Sequence, residues 1–268
     1  MRTGIGIGAM ILLAAAAALA EAPALPLTIT SGYNADIIAE GAGSAGSTTT
    51  TMFDAQGNVF YDSTYDAAHG NHGGTLPAGQ TINDSAGNRY GLAPATGNNA
   101  LIISSENTSG TLGISYADNA SLTSLLLFGT SAEGDTILDY TLNFAGGATS
   151  SGSFTLANWY NPGASGTFNS FGRIDLLDEY NSETGRAFSL YTAGIQIPEA
   201  DAQFRLDSIT LTYDGGNVDN YGIFPRAAIL GVSGFDPVVV VPEPGSISLA
   251  VSGGLALVSF ARRKFVKS

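Results

Sequence analysis

The sequence predicts an all-β fold, and three observations carry that prediction. Glycine accounts for 35 of 268 residues and charged residues for 12%, a balance that suits strands and turns better than helices. The apolar segments are short, β-branched or aromatic, and punctuated by Gly, Asn and Asp, the pattern of a sandwich or barrel. Across residues 136–144, Thr136, Leu138, Tyr140, Leu142 and Phe144 alternate with Ile137, Asp139, Thr141 and Asn143, which places the large apolar side chains on one face of a strand.

From residue 27 to 99 the strand signal is weak. Residues 27–30, 35–39, 59–61 and 89–92 read as short strands between long polar loops, and the Gly/Ser/Thr-rich stretch 41–51 as a flexible loop or an exposed strand. After Asn98-Asn99 the signal strengthens. Residues 100–104 and 111–116 flank a polar stretch at 106–110 that reads as a hairpin loop, and 122–128 is almost continuously apolar, as a core strand should be. Gly146-Gly147 turns the chain from 136–144 into 153–158. Strands at 173–177, 188–191, 195–197, 204–213 and 223–232 follow, the mixed pattern of 204–213 placing it beside a bend or bulge. About ten strands in this half favour an antiparallel two-sheet sandwich of jelly-roll type, with an up-and-down barrel as the alternative.

Both ends differ from the body. Arg2 precedes an uncharged run from Gly4 to Ala20, and Ala18-Leu19-Ala20 offers small residues where signal peptidase reads, so a signal helix over 1–20 with cleavage before Glu21 is expected. At the other end, Pro242-Glu243-Pro244 precedes an uncharged run of 15 residues from Ile247 to Ala261, followed by Arg262, Arg263, Lys264 and Lys267. As a transmembrane helix the run would reach about 22 Å at ~1.5 Å per residue, short of a bilayer core of roughly 30 Å unless its flanks stretch or snorkel. The cations would stay on the cytoplasmic side. An ordinary membrane anchor is the plainer reading of the same run.

Between these ends lie an N-terminal β-rich region at 21–110, a sandwich at 111–236, and the linker that opens the tail of 237–268. No cysteine is present, so disulfides and thiol chemistry are excluded. Of the 23 Asp and Glu only Glu243 lies in the tail, so the body sets 22 against the five cations Arg89, Arg173, Arg186, Arg205 and Arg226, a net charge near −17 with no Lys. Such a surface excludes nucleic acid and anionic membrane as partners.

The order of parts in the tail, Pro242-Glu243-Pro244, short apolar helix, basic end, resembles the PEP-CTERM sorting signal of exported bacterial proteins. The resemblance implies cleavage near the motif by an exosortase-type membrane protease and delivery to a cell surface or biofilm matrix rich in exopolysaccharide. A second resemblance spans roughly 111–235. The run Ser124-Leu125-Leu126-Leu127-Phe128-Gly129-Thr130-Ser131, the segment 139–145, the triplet Asn158-Trp159-Tyr160 and the segment 228–234 are similar to galactose-binding-type jelly rolls of surface-sorted bacterial proteins. These are mostly core positions and speak for fold rather than ligand.

Candidate chemistry is sparse. Trp159, the sole Trp, and Tyr160 stand at a strand end in a turn-rich loop, where rings could cover the apolar face of a sugar while amides take its hydroxyls; core lids are the rival reading. Tyr180-Asn181 and Asn220-Tyr221 offer similar pairs. Asp214, Asn217 and Asp219 sit in a Gly-bearing loop with the oxygen ligands that Ca²⁺ prefers; a plain turn is the alternative, and the jelly-roll resemblance implies that such modules often carry a structural Ca²⁺. His69 and His72 have Gly70, Gly73 and Gly74 around them and read as a polar loop. No Gly-x-Ser-x-Gly elbow occurs. Paired carboxylates remain open, with Glu133, Asp135 and Asp139, or Asp175, Asp178 and Glu179, as clusters. The sequence therefore points to an exported, non-enzymatic surface or matrix protein, structural or exopolysaccharide-associated. A secreted carboxylate-dependent glycoside hydrolase is the alternative.

Overall fold

The computed structural model describes residues 23–70, 73–77, 81–116, 121–161, 168–176, 188–217 and 222–236. Ala18 and Ala20 of the expected signal cleavage site lie outside them, as do Pro242, Glu243 and Pro244 of the sorting motif and Arg262, Arg263 and Lys264 behind it. In chain order the first elements are β1 (Leu25–Pro26), β2 (Thr28–Ser31), β3 (Ile38–Ala39), α1 (Ala45–Thr48), β4 (Asn58–Tyr61) and α2 (Ser63–His69). Next come β5 (Thr81–Asn83), β6 (Arg89–Gly91), β7 (Leu101–Ser104), β8 (Ser109–Ser115), β9 (Ser124–Ala132) and β10 (Thr136–Phe144). The last are β11 (Thr149–Leu156), β12 (Phe168–Phe171), β13 (Ile174–Asp175), β14 (Phe188–Gln196), β15 (Leu206–Gly216) and β16 (Arg226–Phe235). Among the described residues no helix is long and apolar enough to cross a membrane.

Two antiparallel sheets dominate. One runs β1-β16-β9-β14-β12 with β7 also on β16; the other runs β11-β10-β15-β8-β2. Period-two alternation drives their stacking. Leu138, Leu142 and Phe144 of β10 and Ile209 and Leu211 of β15 meet Leu125 and Leu127 of β9, Ile195 of β14 and Ile229 and Val232 of β16 in one buried cluster. Full burial of each such aliphatic side chain contributes about 1.5–3 kcal/mol. The opposite face of the six-stranded sheet is covered too: Phe128, Ala228, Leu230, Phe188 and Leu190 pack against Ile37, Phe53, Phe60, Leu76 and Tyr90 from the N-terminal third. Strands buried on both faces need continuous apolar runs, which is why 122–128 has one.

Several expectations change. The strands flanking 106–110 are not a hairpin: β7 pairs with β16 in one sheet while β8 pairs with β15 and β2 in the other, so the loop crosses the sandwich. The strands expected at 188–191 and 195–197 are one strand, β14. The bend expected in 204–213 is present as register shifts in the β10–β15 pair. Stretch 41–51 contains the single turn α1, because Ser44 O accepts from Ser47 N and Thr48 N and Ala45 O from Thr49 N. A boundary at 110/111 falls inside β8, and β1, β2 and β7 from before it complete both large sheets. The chain enters across the sandwich edge: β1 pairs with β16, Leu27 N donates to Val232 O, and β2 continues on β8. Gly32 then turns the chain at φ +108°, where a Cβ would lie 2.1 Å from Thr111 O, so no other residue fits there.

Candidate functional site

Among the described residues, the outer side of the five-stranded sheet is an open face. Its register lines up Ser151, Thr141, Thr210 and Thr111 in one row across four strands, and Ser153, Asp139, Thr212 and Ser109 in the next. Thr149, Asn143 and Ser208 form a third row. Neighbouring side chains tie together: Thr111 Oγ1 and Thr210 Oγ1 are 3.0 Å apart, and Thr141 Oγ1 and Ser151 Oγ 3.2 Å. Asn143 Nδ2 donates to Ser208 Oγ at 3.1 Å and Thr210 Oγ1 at 3.3 Å. Such cross-strand pairs steady the rotamers, and each hydroxyl keeps further capacity to donate and accept. Every row residue is neutral except Asp139. The alternation of β10 made its polar face legible; the partners on β8, β11 and β15 were not, since pairing is a tertiary fact.

The expected aromatic platform is not one. Trp159 is 2% exposed, its ring held edge-on by Phe53 at 4.8 Å and Phe60 at 5.1 Å and packed on Phe188 at 4.9 Å. The Arg173 guanidinium lies 5.5 Å from the Trp159 ring and 4.7 Å from that of Phe188, a cation–π arrangement. With its faces taken, Trp159 has none left for a sugar, and the core-lid reading applies. Tyr160 is 43% exposed, with its N–H held by Asn158 Oδ1. Arg173 Nη1 also reaches Asp54 Oδ2 at 2.7 Å. Asp54, buried, accepts as well from the N–H groups of Gln56 and Asn58 and from Asn58 Nδ2. Sequence alone gave no sign of this Asp54–Arg173 pair, whose members lie 119 residues apart.

The other candidates separate. Asp214 and Asn217 are exposed, Gly215 between them adopts φ +121°, and Asn217 N donates to Asp135 O; Asp219, the third calcium candidate, is outside the described residues. His69 ends α2 rather than lying in a loop, stacked 3.9 Å from the Tyr65 ring with Nδ1 2.9 Å from Tyr65 O. His72, Asp178, Glu179, Tyr180, Asn181, Asn220 and Tyr221 are outside the described residues. Glu133 accepts from Ala55 N at 2.7 Å and Asp135 from Asn158 N at 2.8 Å, while Asp139 stands on the open sheet face. These carboxylates thus serve three different places.

One carboxyl differs in character. Glu40 follows β3, and burial, then the negative charges of Asp36 and Asp62, push it up to about 7. Its Oε2 is buried with no hydrogen-bond partner among the described residues.

Comparison with protein-family models gave no match, and comparison with curated proteins gave none either. Among solved structures, a carbohydrate-binding module specific for non-crystalline cellulose matches at 16% identity over 55% of this chain and 79% of that one, with a TM-score of 0.27. An agarase matches at 12% identity over 62% of this chain and 24% of that one, with a TM-score of 0.25. At these scores neither likeness carries an argument about fold or ligand.

Proposed function

We propose that the chain is an exported, non-enzymatic protein of the cell surface or extracellular matrix, associated with neutral exopolysaccharide and built on a jelly-roll sandwich. Support for the jelly roll comes from the strand order. The segments β7 to β16, leaving out the short β12 and β13, alternate between sheets as β7-β16-β9-β14 and β8-β15-β10-β11, with β10–β11 as their one hairpin, the connectivity of two Greek keys. The observation that carries the carbohydrate association is the hydroxyl- and amide-bearing face of the five-stranded sheet, set in a Lys-free acidic body. It matches a partner rich in hydroxyls and repels a polyanion. In this reading signal peptidase and an exosortase-type protease process the two ends, with Pro242, Glu243 and Pro244 as the sorting motif.

A glycan array with the full chain tests the proposal. Binding to neutral polysaccharide without release of reducing ends is expected. Release would move the protein to the rival reading, a carboxylate-dependent glycoside hydrolase, which one observation favours: a carboxyl with the value of Glu40 keeps its proton near neutrality, as a general acid must. Glu40→Gln would then abolish turnover. For sorting, Glu243→Ala is expected to accumulate as an uncleaved, membrane-retained form; normal processing of that variant would refute the assignment.

A further inference from the structure

At the sandwich edge where the chain crosses from one sheet to the other, a pocket of ≈ 390 Å³ opens between the β1–β2 crossing and the loop that follows β6. Its walls are apolar, with Leu27, Leu92 and Pro94 among them, and Tyr33, Thr28 and Asn98 supply the polar groups. The Tyr33 hydroxyl donates to Leu230 O at 2.7 Å, which fixes the half-buried ring against β16; one part of it packs on the aliphatic core and another lines the pocket. Asn98 Nδ2 donates to Tyr33 O at 3.2 Å, so the Asn98 carbonyl oxygen is left as an acceptor, and the exposed Thr28 hydroxyl can donate or accept. Backbones pack closely beside the pocket: a Cβ on Gly231 would lie 2.7 Å from the backbone O of the lining residue Gly91, and one on Gly91 3.3 Å from Pro26 Cβ.

We propose that this pocket binds one neutral hexopyranose unit of the polysaccharide, the apolar sugar face on Tyr33 and the ring hydroxyls on Asn98 and Thr28. The inference rests on the carbohydrate reading above and adds its specific site. None of the lining side chains is ionisable at neutral pH, so nothing in the pocket compensates a charged ligand, whereas a fixed aromatic ring beside an amide and a hydroxyl matches the two faces of a sugar. The volume lies at the lower end of small-ligand pockets, about 300–1,000 Å³, which suits a single unit rather than a long chain segment.

The test titrates the full chain, in a detergent without a sugar headgroup, with methyl β-D-glucopyranoside, methyl β-D-galactopyranoside and the polysaccharide found on the array. Ala93→Trp fills the pocket from the loop after β6, and Asn98→Ala removes one hydrogen-bond partner. Saturable glycoside binding is expected, lost in Ala93→Trp and weakened about two- to tenfold in Asn98→Ala, the range of one neutral hydrogen bond. Unchanged circular dichroism in both variants would exclude misfolding as the cause. Polysaccharide binding that survives Ala93→Trp but falls in a Thr141→Val/Thr210→Val double variant overturns the pocket and leaves the carbohydrate reading standing. If the chain binds no carbohydrate in either form, both fail together.

Discussion

The two faces of the six-stranded sheet are buried by different means. Against the five-stranded sheet the contact is aliphatic, with Leu, Ile and Val from long regular strands whose backbone groups are satisfied by their neighbours. Against the N-terminal third it is aromatic, with Phe53, Phe60, Tyr90, Phe128, Trp159 and Phe188 in contact. There the short segments leave backbone groups without a ladder, and polar side chains satisfy them. Asn34 exchanges two hydrogen bonds with Ile102 as a strand would. Asn99 accepts from Ile37 N and donates to Asp36, Asp62 caps α2, and Asp84 accepts from Ala86 N and Asn88 N. A buried N–H must find a partner. Where no ladder supplies one, a side-chain carboxylate or amide does, and the buried ones among them, Asp36, Asp62 and Asn99, become points of failure.

The largest effect is therefore expected from Asp54→Ala, which removes the buried carboxylate bonded to Arg173 Nη1, to the Gln56 and Asn58 N–H groups and to Asn58 Nδ2, and should cost about 3–5 kcal/mol. In hydrogen exchange the amides of 36–62 should lose protection first while β10 and β15 keep theirs. Equal loss everywhere would show one cooperative unit and dissolve the contrast. Leu211→Ala in the aliphatic core should cost about 2–5 kcal/mol with the reverse pattern, seen as lower denaturant resistance of the whole sandwich. Asp62→Ala removes the acceptor for Thr64 N and Tyr65 N at the start of α2 and should cost about 0.5–2 kcal/mol, read as a lower Tm.

A further effect, confined to one range of pH, sharpens the comparison. The Glu40 carboxyl lies above its ordinary 4.5, at about 7 in the folded chain, through burial and then Asp36 and Asp62, so the native state holds this proton more tightly than the unfolded state. Its contribution to stability is present below pH 4.5 and is lost as pH rises through about 7. Glu40→Gln should raise Tm relative to the wild type at pH 8, with the difference vanishing near pH 4. A constant difference across that range would assign the effect to packing instead.

The sandwich half is legible because a period of two over nine residues admits one interpretation, and Thr136–Phe144 and the apolar run into β9 carry the pattern of the strands they form. The N-terminal third was less so. Asp62 before Ser63-Thr64-Tyr65 and Gly70 after His69 are helix start and stop signals that mark α2 once its length of 7 residues is known, yet so short a helix leaves almost no periodicity. Trp159 shows the limit most plainly: a ring at a strand end has the same sequence context whether it faces solvent or core. Phe53 and Phe60, which bury it, stand about a hundred residues away. Tyr33 and Asn98 had no local signal either, since one is placed by its bond to Leu230 and the other by a loop after β6.

Composition and alternation by themselves determined that the body is acidic, cysteine-free and mostly β, between two unlike ends, because charge count and period two are properties of the chain whatever it packs against; the short helices α1 and α2 were not among what they determined. The tertiary structure decided which face of each strand stays open, which aromatic ring is sealed in, and that a pocket forms where the chain crosses the sandwich edge. Those outcomes depend on pairs such as Leu27 with Val232 and Asp54 with Arg173, far apart in sequence, whose contact is fixed only when the sheets close.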